Sequence, residues 1–328
     1  MNWKLKAHSM ALLSRIPGGK WIYHKMQACL GTNRLPADEG VARAAEIVEL
    51  IHEAGRSPLD AVFVEIGTGW RPFLPFLLHL VGAKRIISFD INRWLSRAYA
   101  FETHLALAHH LDAIALRLGI QPGLVHDRYD RVNRLAHDLP SLLKAFCLEY
   151  RCPGDARQTG LPDASIDFVC SSNVLEHIPP NVLREIHHES ARILRPGALA
   201  VHRFNPGDHF TVIDGSITAV NFLRYSEPQW WWYGGTGLSY HNRLRCLQHR
   251  QLLDEAGFSV LIDRVRIDHR ALDSIRRNEL VIHPDFDQFT PEQLAADYMW
   301  VVGIRPDTVG HLAQNASPTA AGSWTPLE

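Results

Sequence analysis

AVFVEIGTG, residues 61–69, is the stretch of this sequence that decides its fold. Its first residues are nearly all apolar, which is typical of a strand buried on both faces of a parallel sheet. Gly67 and Gly69 then allow a tight turn and a close approach of the backbone to a ligand. The stretch therefore predicts a buried strand that ends in a ligand-binding turn, with Glu65 as its one charged side chain.

Apolar strands and helical segments alternate on the C-terminal side of this stretch. Before it, a helix is expected through 41–54, with Asp38 as its N-cap and Gly55 as its stop. Strands that alternate with helices indicate a mostly parallel α/β sheet with helices on both faces, here seven-stranded. The six strands predicted after the first lie at 85–90, 147–152, 165–173, 198–204, 258–267 and 299–305.

Three regions of the chain are expected from this pattern. Residues 1–58 form a helical N-terminal segment, and residues 59–305 form the α/β domain. Residues 205–247, rich in Gly, Trp and Tyr and read as irregular, interrupt the domain after the fifth strand as a lid. The Ala-, Ser-, Thr- and Pro-containing residues 306–328 are expected to be a disordered tail.

The composition restricts the function classes. A formal net charge of −1 over 328 residues argues against a nucleic-acid binder, which usually carries a basic excess. No uncharged apolar run is long enough to predict a membrane span. Five scattered cysteines without a CxxC pair indicate neither disulfides nor zinc, and they fit a cytoplasmic protein. Nineteen histidines include no HExxH pattern, so no metal site is predicted.

An acidic residue follows the glycine turn at a suitable distance. Asp90 ends the second strand, twenty-five residues (90 − 65) after Glu65. A carboxylate there can accept both hydroxyls of a ribose that lies across the carboxyl edge of the sheet. A nicotinamide-binding domain shares this pattern. A plain turn at Gly67 and Gly69, and simple helix caps at Asp90 and Asp155, are the structural alternatives.

Four later motifs occur in order. They are GDA (154–156), LPDASIDFV (161–169), NVLEHI (173–178) and LRPG (194–197). With these motifs the sequence, over roughly residues 60–305, resembles the class I S-adenosylmethionine-dependent methyltransferases, in their small-molecule and glycan group. The resemblance implies a Rossmann-like seven-stranded fold and S-adenosyl-L-methionine as the cofactor.

The resemblance also assigns cofactor contacts. Glu65, Gly67 and Gly69 would line the methionine and ribose part of the cofactor. Asp90 would bind the ribose hydroxyls, and the neighbouring Ile91 would pack against adenine.

The remaining contacts come from the third and fourth strands. Asp155 would bond the adenine amino group, and Ala156, next to it in the same motif, would also belong to the cofactor site. Asn173 would lie beside the sulfonium. One position departs from the family, because Arg71 stands where a third glycine is usual. Nicotinamide enzymes need that glycine for close helix packing under a pyrophosphate, so the departure counts against a nicotinamide cofactor.

Candidate catalytic residues lie in the lid and beside it. Asp208 and His209 follow the fifth strand, whose carboxyl end should face the transferring methyl. We expect Asp208 to orient His209 as the general base for a hydroxyl acceptor. His241 and His177 are the other candidates. Dependence on a metal would instead make Asp208 and His209 ligands.

The sequence therefore predicts methyl transfer to a small molecule or glycan, with oxygen favoured as acceptor. The tryptophans of WWWY (230–233) either close over the site or anchor the lid. The stretches 13–19 and 221–226 look like bacterial methyltransferases that modify sugars or polysaccharides. The alternatives are N- or C-methylation of a natural-product intermediate, a non-catalytic cofactor-binding protein, and a nicotinamide oxidoreductase. The oligomeric state is left open.

Overall fold

The sheet predicted from the sequence is confirmed in the computed structural model, which describes residues 2–19, 22–23, 35–238, 240–307 and 325–326. Its strands are β1 (Val62–Ile66), β2 (Arg85–Phe89), β3 (Leu148–Arg151), β4 (Ile166–Ser172), β5 (Leu194–Phe204), β6 (Ser259–Ile267), β7 (Ala296–Ile304) and the two-residue β8 (Thr325–Pro326). They form one sheet in the order β3-β2-β1-β4-β5-β7-β6-β8. Strands β1 to β5 pair in parallel, and β7 lies antiparallel between β5 and β6.

The eighth strand was not expected. β8 pairs with Arg264 and Val265 of β6 and lies in the region predicted to be a disordered tail. Most of that prediction, at residues 308–324 and 327–328, lies outside the described residues.

The described helices connect and cover the strands. In chain order they are α1 (Trp3–Arg15), α2 (Ala37–Glu53), α3 (Phe73–Leu80), α4 (Arg97–Leu107), α5 (Leu111–Leu118), α6 (Pro122–Leu135), α7 (Leu139–Ala145), α8 (Pro180–Ile193), α9 (Glu227–Gly234), α10 (Cys246–Glu255), α11 (His269–Arg276) and α12 (Pro291–Ala295). None of them is long and apolar enough to cross a membrane. The four described cysteines, at positions 147, 152, 170 and 246, are free.

Alternate residues of each strand face two separate cores, as a pleated sheet requires. Phe63 and Phe168 stack on one face, with ring centroids 4.7 Å apart, in a cluster with α2 to α7. Val64 and Val169 face the other side and pack with α8 and α10. The central strands are thus buried on both faces, which explains their continuous apolar sequence.

Two local predictions need correction. α2 begins at Ala37 with Pro36 as its N-cap, so Asp38 lies in the first turn and is not the cap; there its charge still favours the helix N-terminus. The lid is not irregular throughout, because α9 lies within it. Ser226 and Gln229 form a capping box at the start of α9, a signal that is present in the sequence as S-x-x-Q.

The first helix packs on the lid and not on the sheet. Trp3 and Met10 of α1 belong to a third apolar cluster with Phe222 and Trp230 of the lid. The backbone N–H of Trp3 also donates to the carboxylate of Asp214 at 3.0 Å. α1 and the lid therefore share one core, whereas α2, in the same N-terminal segment, packs in the core on the sheet.

A buried arginine fastens both ends of the lid to the sheet. The Arg245 guanidinium is fully buried and donates to the carbonyls of Leu294 at 3.3 Å, Ala296 at 3.2 Å and Pro206. Burial lowers its pKa to about 10, so it remains charged near neutral pH. Its partners are carbonyls at the start of the lid and at the start of β7.

We expect Arg245→Leu to destabilise the fold, because several buried carbonyls lose their donor. Each such carbonyl costs about 1–3 kcal/mol, so the free energy of unfolding, measured in urea, should fall by about 3 kcal/mol or more. The control is Arg184→Leu, which removes a half-exposed ion pair with Glu255 and should cost about 1 kcal/mol or less. Equal unfolding midpoints for the two variants would contradict this role of Arg245.

Candidate active site

A crevice opens where the strand order reverses between β1 and β4. From β1 the chain builds β2 and β3 on one side, and β4 then pairs with the other edge of β1. Ligands of open α/β sheets bind at the carboxyl ends of strands at such a reversal. The crevice here has a volume of about 260 Å³, and its lining includes Gly67, Gly69, Asn173, Val174 and Arg43 of α2.

The glycine turn that borders the crevice requires glycine. Gly67 has φ +76° and Gly69 has φ +66°, conformations that other residues rarely adopt. A Cβ on Gly67 would also lie 2.7 Å from a methyl group of Val174. The two loops at the ends of β1 and β4 can therefore approach only because residue 67 has no side chain.

Glu65 lies at the base of this turn, buried in the sheet. Its Oε2 accepts from Ser88 Oγ at 2.5 Å and from Thr68 Oγ1 at 3.2 Å. Burial raises its pKa to about 7. Hydroxyl donors on β2 and on the turn itself thus hold the carboxyl group in place.

Asp90 connects the end of β2 to the glycine turn. Its Oδ2 accepts from the Gly69 N–H at 2.9 Å and its Oδ1 from the Asn92 N–H at 2.8 Å. It does not cap the next helix, since Ser96 is the N-cap of α4. Ile91 is 73% exposed at the same edge of the sheet, available to an apolar ligand surface.

Asp155 forms an ion pair with Arg157, a residue that no sequence motif indicated. The Arg157 guanidinium donates to its carboxylate at 2.7–3.0 Å and holds its pKa below the usual range. The neighbouring Ala156 is buried in the core below. An adenine amino group at Asp155 would share this carboxylate with Arg157.

Asn173, at the end of β4, has its side chain fixed by two donors. Its Oδ1 accepts from Arg203 Nη1 and from the Tyr298 hydroxyl, each at 2.7 Å. Arg203 also donates to Glu46 of α2 at 2.9 Å. These three partners lie on β5, β7 and α2, far apart in sequence, so no motif indicated them.

The structure brings three candidate histidines together. The ring centroids of His177 and His209 are 4.9 Å apart, those of His209 and His241 are 4.2 Å apart, and those of His177 and His241 are 5.5 Å apart. His177 is exposed, His209 is half-buried and His241 is buried. We call these three residues the histidine cluster.

The geometry does not support the expected pairing of Asp208 with His209. The Asp208 carboxylate is buried and accepts from the Phe210 N–H at 2.9 Å and from Asn221 Nδ2 at 3.2 Å. It caps the short helical turn His209–Val212 and orients the backbone there. The neighbour of the cluster is another carboxyl group, Glu176, which is fully buried and whose pKa burial raises.

Burial keeps the inner histidines neutral. Burial first, and then the proximity of His177, lowers the pKa of His209 to about 3, and the pKa of His241 is likewise well below its usual value. Neutral imidazoles carry a free lone pair on one ring nitrogen. These lone pairs can therefore ligate a cation, whereas a pKa of about 3 makes His209 a weak acceptor for a proton near neutral pH.

The lid aromatics divide into two groups. Trp230 is buried against Trp3 and Phe222. It therefore anchors the lid, which is one of the two roles expected for these tryptophans. Trp231 and Trp232 are more than half exposed, and Trp231 lines a cavity of about 240 Å³ together with Trp230 and His241.

Comparison with known proteins gives the family. A family model described as a methyltransferase domain matches residues 40–262, well over half of the chain. This match includes the glycine turn, Asp90, Asn173 and the histidine-bearing turn after β4. No curated protein matches the chain.

Solved structures of low identity are also similar to this chain. A structure of S-adenosylmethionine-dependent methyltransferases from Methanosarcina mazei is 15% identical with a TM-score of 0.43, covering 78% of this chain and 97% of that chain. A geranyl diphosphate C-methyltransferase from Streptomyces coelicolor, solved with Mg²⁺, geranyl diphosphate and S-adenosyl-L-homocysteine, is 11% identical with a TM-score of 0.44. This match covers 80% of this chain and 78% of the geranyl diphosphate C-methyltransferase chain.

The family match rejects the nicotinamide alternative and agrees with the ordered motifs around the crevice. The chain belongs to the methyltransferase domain family and is an S-adenosylmethionine-dependent methyltransferase of the class I α/β fold.

Proposed function

We propose that this enzyme transfers the methyl group to a hydroxyl oxygen of a small molecule or glycan bound between the crevice and the lid. The observation that carries the proposal is the histidine cluster, which begins four residues after Asn173 (177 − 173). A neutral amine can attack the methyl carbon with its own lone pair, whereas a hydroxyl oxygen is a poor nucleophile until its proton is removed. Bound S-adenosylmethionine supplies a methyl carbon already activated by the positive sulfur.

The residues of the crevice fit this cofactor. The absent side chains of Gly67 and Gly69 leave room for a ligand against the backbone, and Val174 closes the other side. Each oxygen of Asp90 accepts one backbone N–H, so each keeps a lone pair for one ribose hydroxyl. The fixed Asn173 carboxamide marks the end of the crevice nearest the histidine cluster.

The methyl transfer is an in-line displacement at the methyl carbon. The acceptor oxygen forms a bond to the methyl carbon while the bond from that carbon to sulfur breaks, and its electron pair goes to sulfur. The hydroxyl proton must leave during this step. The exposed imidazole of His177 can take up that proton, or the cluster can hold a cation that acidifies the hydroxyl.

The acceptor class is tested by incubating the full chain with methyl-labelled S-adenosylmethionine and fractionated metabolites or glycans. We expect the label in a methyl ether that is stable to mild base. Label found only on nitrogen or carbon would contradict the proposal.

We expect Asp90→Ala to weaken S-adenosyl-L-homocysteine binding about tenfold to a hundredfold in calorimetry. Hydrogen bonds to a charged group contribute about 1.5–3 kcal/mol each, and about 1.4 kcal/mol is a factor of ten. The matched control is Asp167→Ala, because Asp167 also accepts a backbone N–H, from Val62 at 2.8 Å, at the amino end of the same sheet. Unchanged affinity in a folded Asp90 variant would show that Asp90 serves only the glycine turn.

We expect His209→Ala to lower the turnover by about 100-fold or more, because the cluster loses the ring that lies against both His177 and His241. The affinity for S-adenosyl-L-homocysteine should stay within a few-fold, because His209 lies on the turn after β5, whereas the glycine turn and Asp90 follow β1 and β2. His126→Ala, at an exposed histidine paired with Asp112, is the control. A folded His209 variant with normal turnover would remove the cluster from the proposed mechanism.

A further inference from the structure

We propose that Glu176, His177 and His209, with His241 beside them, form a binding site for one divalent transition-metal cation. The site lies on the turns that follow β4 and β5, and the part of the proposal that concerns catalysis rests on the proposed hydroxyl methylation. Neither the family match nor the sequence motifs assign a metal to this chain, and none was predicted from the sequence.

Three ligand atoms already lie within reach of one ion. One atom from each of Glu176, His177 and His209 lies within 4.8 Å of the other two. Glu176 and His177 are neighbours on the helical turn Leu175–His177 after β4, and His209 begins the turn after β5. The three ligands therefore lie at the same edge of the sheet, just after the carboxyl ends of the adjacent parallel strands β4 and β5.

The backbone around the cluster fixes the tautomers of its rings. Nδ1 of His177 lies 3.1 Å from the Tyr240 carbonyl, and Nδ1 of His241 lies 2.7 Å from the Asn242 carbonyl. A carbonyl only accepts, so both Nδ1 atoms carry the proton and both Nε2 atoms carry the lone pair. Histidines that ligate metals commonly have their second nitrogen held in this manner.

Two buried polar atoms of this group have no hydrogen-bond partner. Glu176 Oε1 accepts from the Asn205 N–H at 3.2 Å, but Oε2 has no partner, and neither has Nε2 of His241. Proteins rarely leave buried polar atoms unsatisfied, and an unbound ion is one recognised reason for such an exception. A cation bound by Glu176 would satisfy the free carboxylate oxygen.

The donor set selects the class of ion. Two imidazoles and one carboxylate suit Zn²⁺, Co²⁺, Mn²⁺ or Fe²⁺, whereas Mg²⁺ and Ca²⁺ prefer oxygen ligands only. His177 is exposed, so the ion would keep coordination positions open towards the crevice and the lid. An acceptor hydroxyl at such a position becomes more acidic, loses its proton to water and attacks the methyl carbon as an oxyanion.

The test is a titration of the untagged full-length chain with Co²⁺ after treatment with a chelator. We expect one Co²⁺ per chain, with visible absorption bands that report nitrogen ligation, and competition by Zn²⁺. His177→Ala changes an exposed residue and should fold; Glu176→Gln removes the charge with little change in shape. Both should weaken Co²⁺ binding at least tenfold, while His126→Ala, at a surface histidine beside Asp112, should not.

The outcomes separate the metal site from the proposed reaction. Absence of saturable Co²⁺ binding, or equal binding by the wild type and both folded variants, would overturn the site. Methyl ether formation that is unaffected when the metal is removed, in a chain that binds Co²⁺ at the cluster, would overturn its catalytic part. Methylation of nitrogen or carbon only, by a chain that binds Co²⁺, would contradict the proposed function and confirm the site.

Discussion

The reversal of strand order between β1 and β4 is the constraint on which the rest of this molecule depends. It separates the loops that follow the two central strands and so opens the crevice between them. The loops meet again at one contact, Gly67 against Val174, where no side chain larger than hydrogen fits. The residues proposed to bind the cofactor lie at or just after the carboxyl ends of β1, β2, β3 and β4, so a single edge of one sheet would assemble the site.

The segment after β4 joins this crevice to the chemistry of the acceptor. Asn173 is held by Arg203 and Tyr298, and Glu176 and His177 follow within one turn. Because Arg203 also binds Glu46 of α2, the helix that borders the crevice and the strand that leads to His209 are tied to the same side chains. One set of side-chain hydrogen bonds therefore ties α2, the end of β4, β5 and β7 together beside the crevice.

Sequence reasoning predicted the parts of this arrangement that have local signals. Buried strands appear in the sequence as continuous apolar runs, so the fold could be predicted. The turn at Gly67 requires glycines, which are visible in the sequence, so the position of the crevice could be predicted as well. The role given to Asp208 was inferred from its position next to His209, but capping of a backbone turn determines where its carboxylate points. Partners from distant strands, such as Tyr298, and the carboxyl group of Glu176 beside the histidines depend on tertiary packing and leave no pattern along the chain.

A crystal structure of the full chain with S-adenosyl-L-homocysteine tests the central claim most directly. The account predicts a ligand that spans the ends of β1 and β4, with both ribose hydroxyls within hydrogen-bond distance of the Asp90 carboxylate. Its sulfur should lie at the Asn173 end of the crevice, facing the histidine cluster. A ligand bound elsewhere on the sheet, or bound with its ribose away from Asp90, would contradict the account.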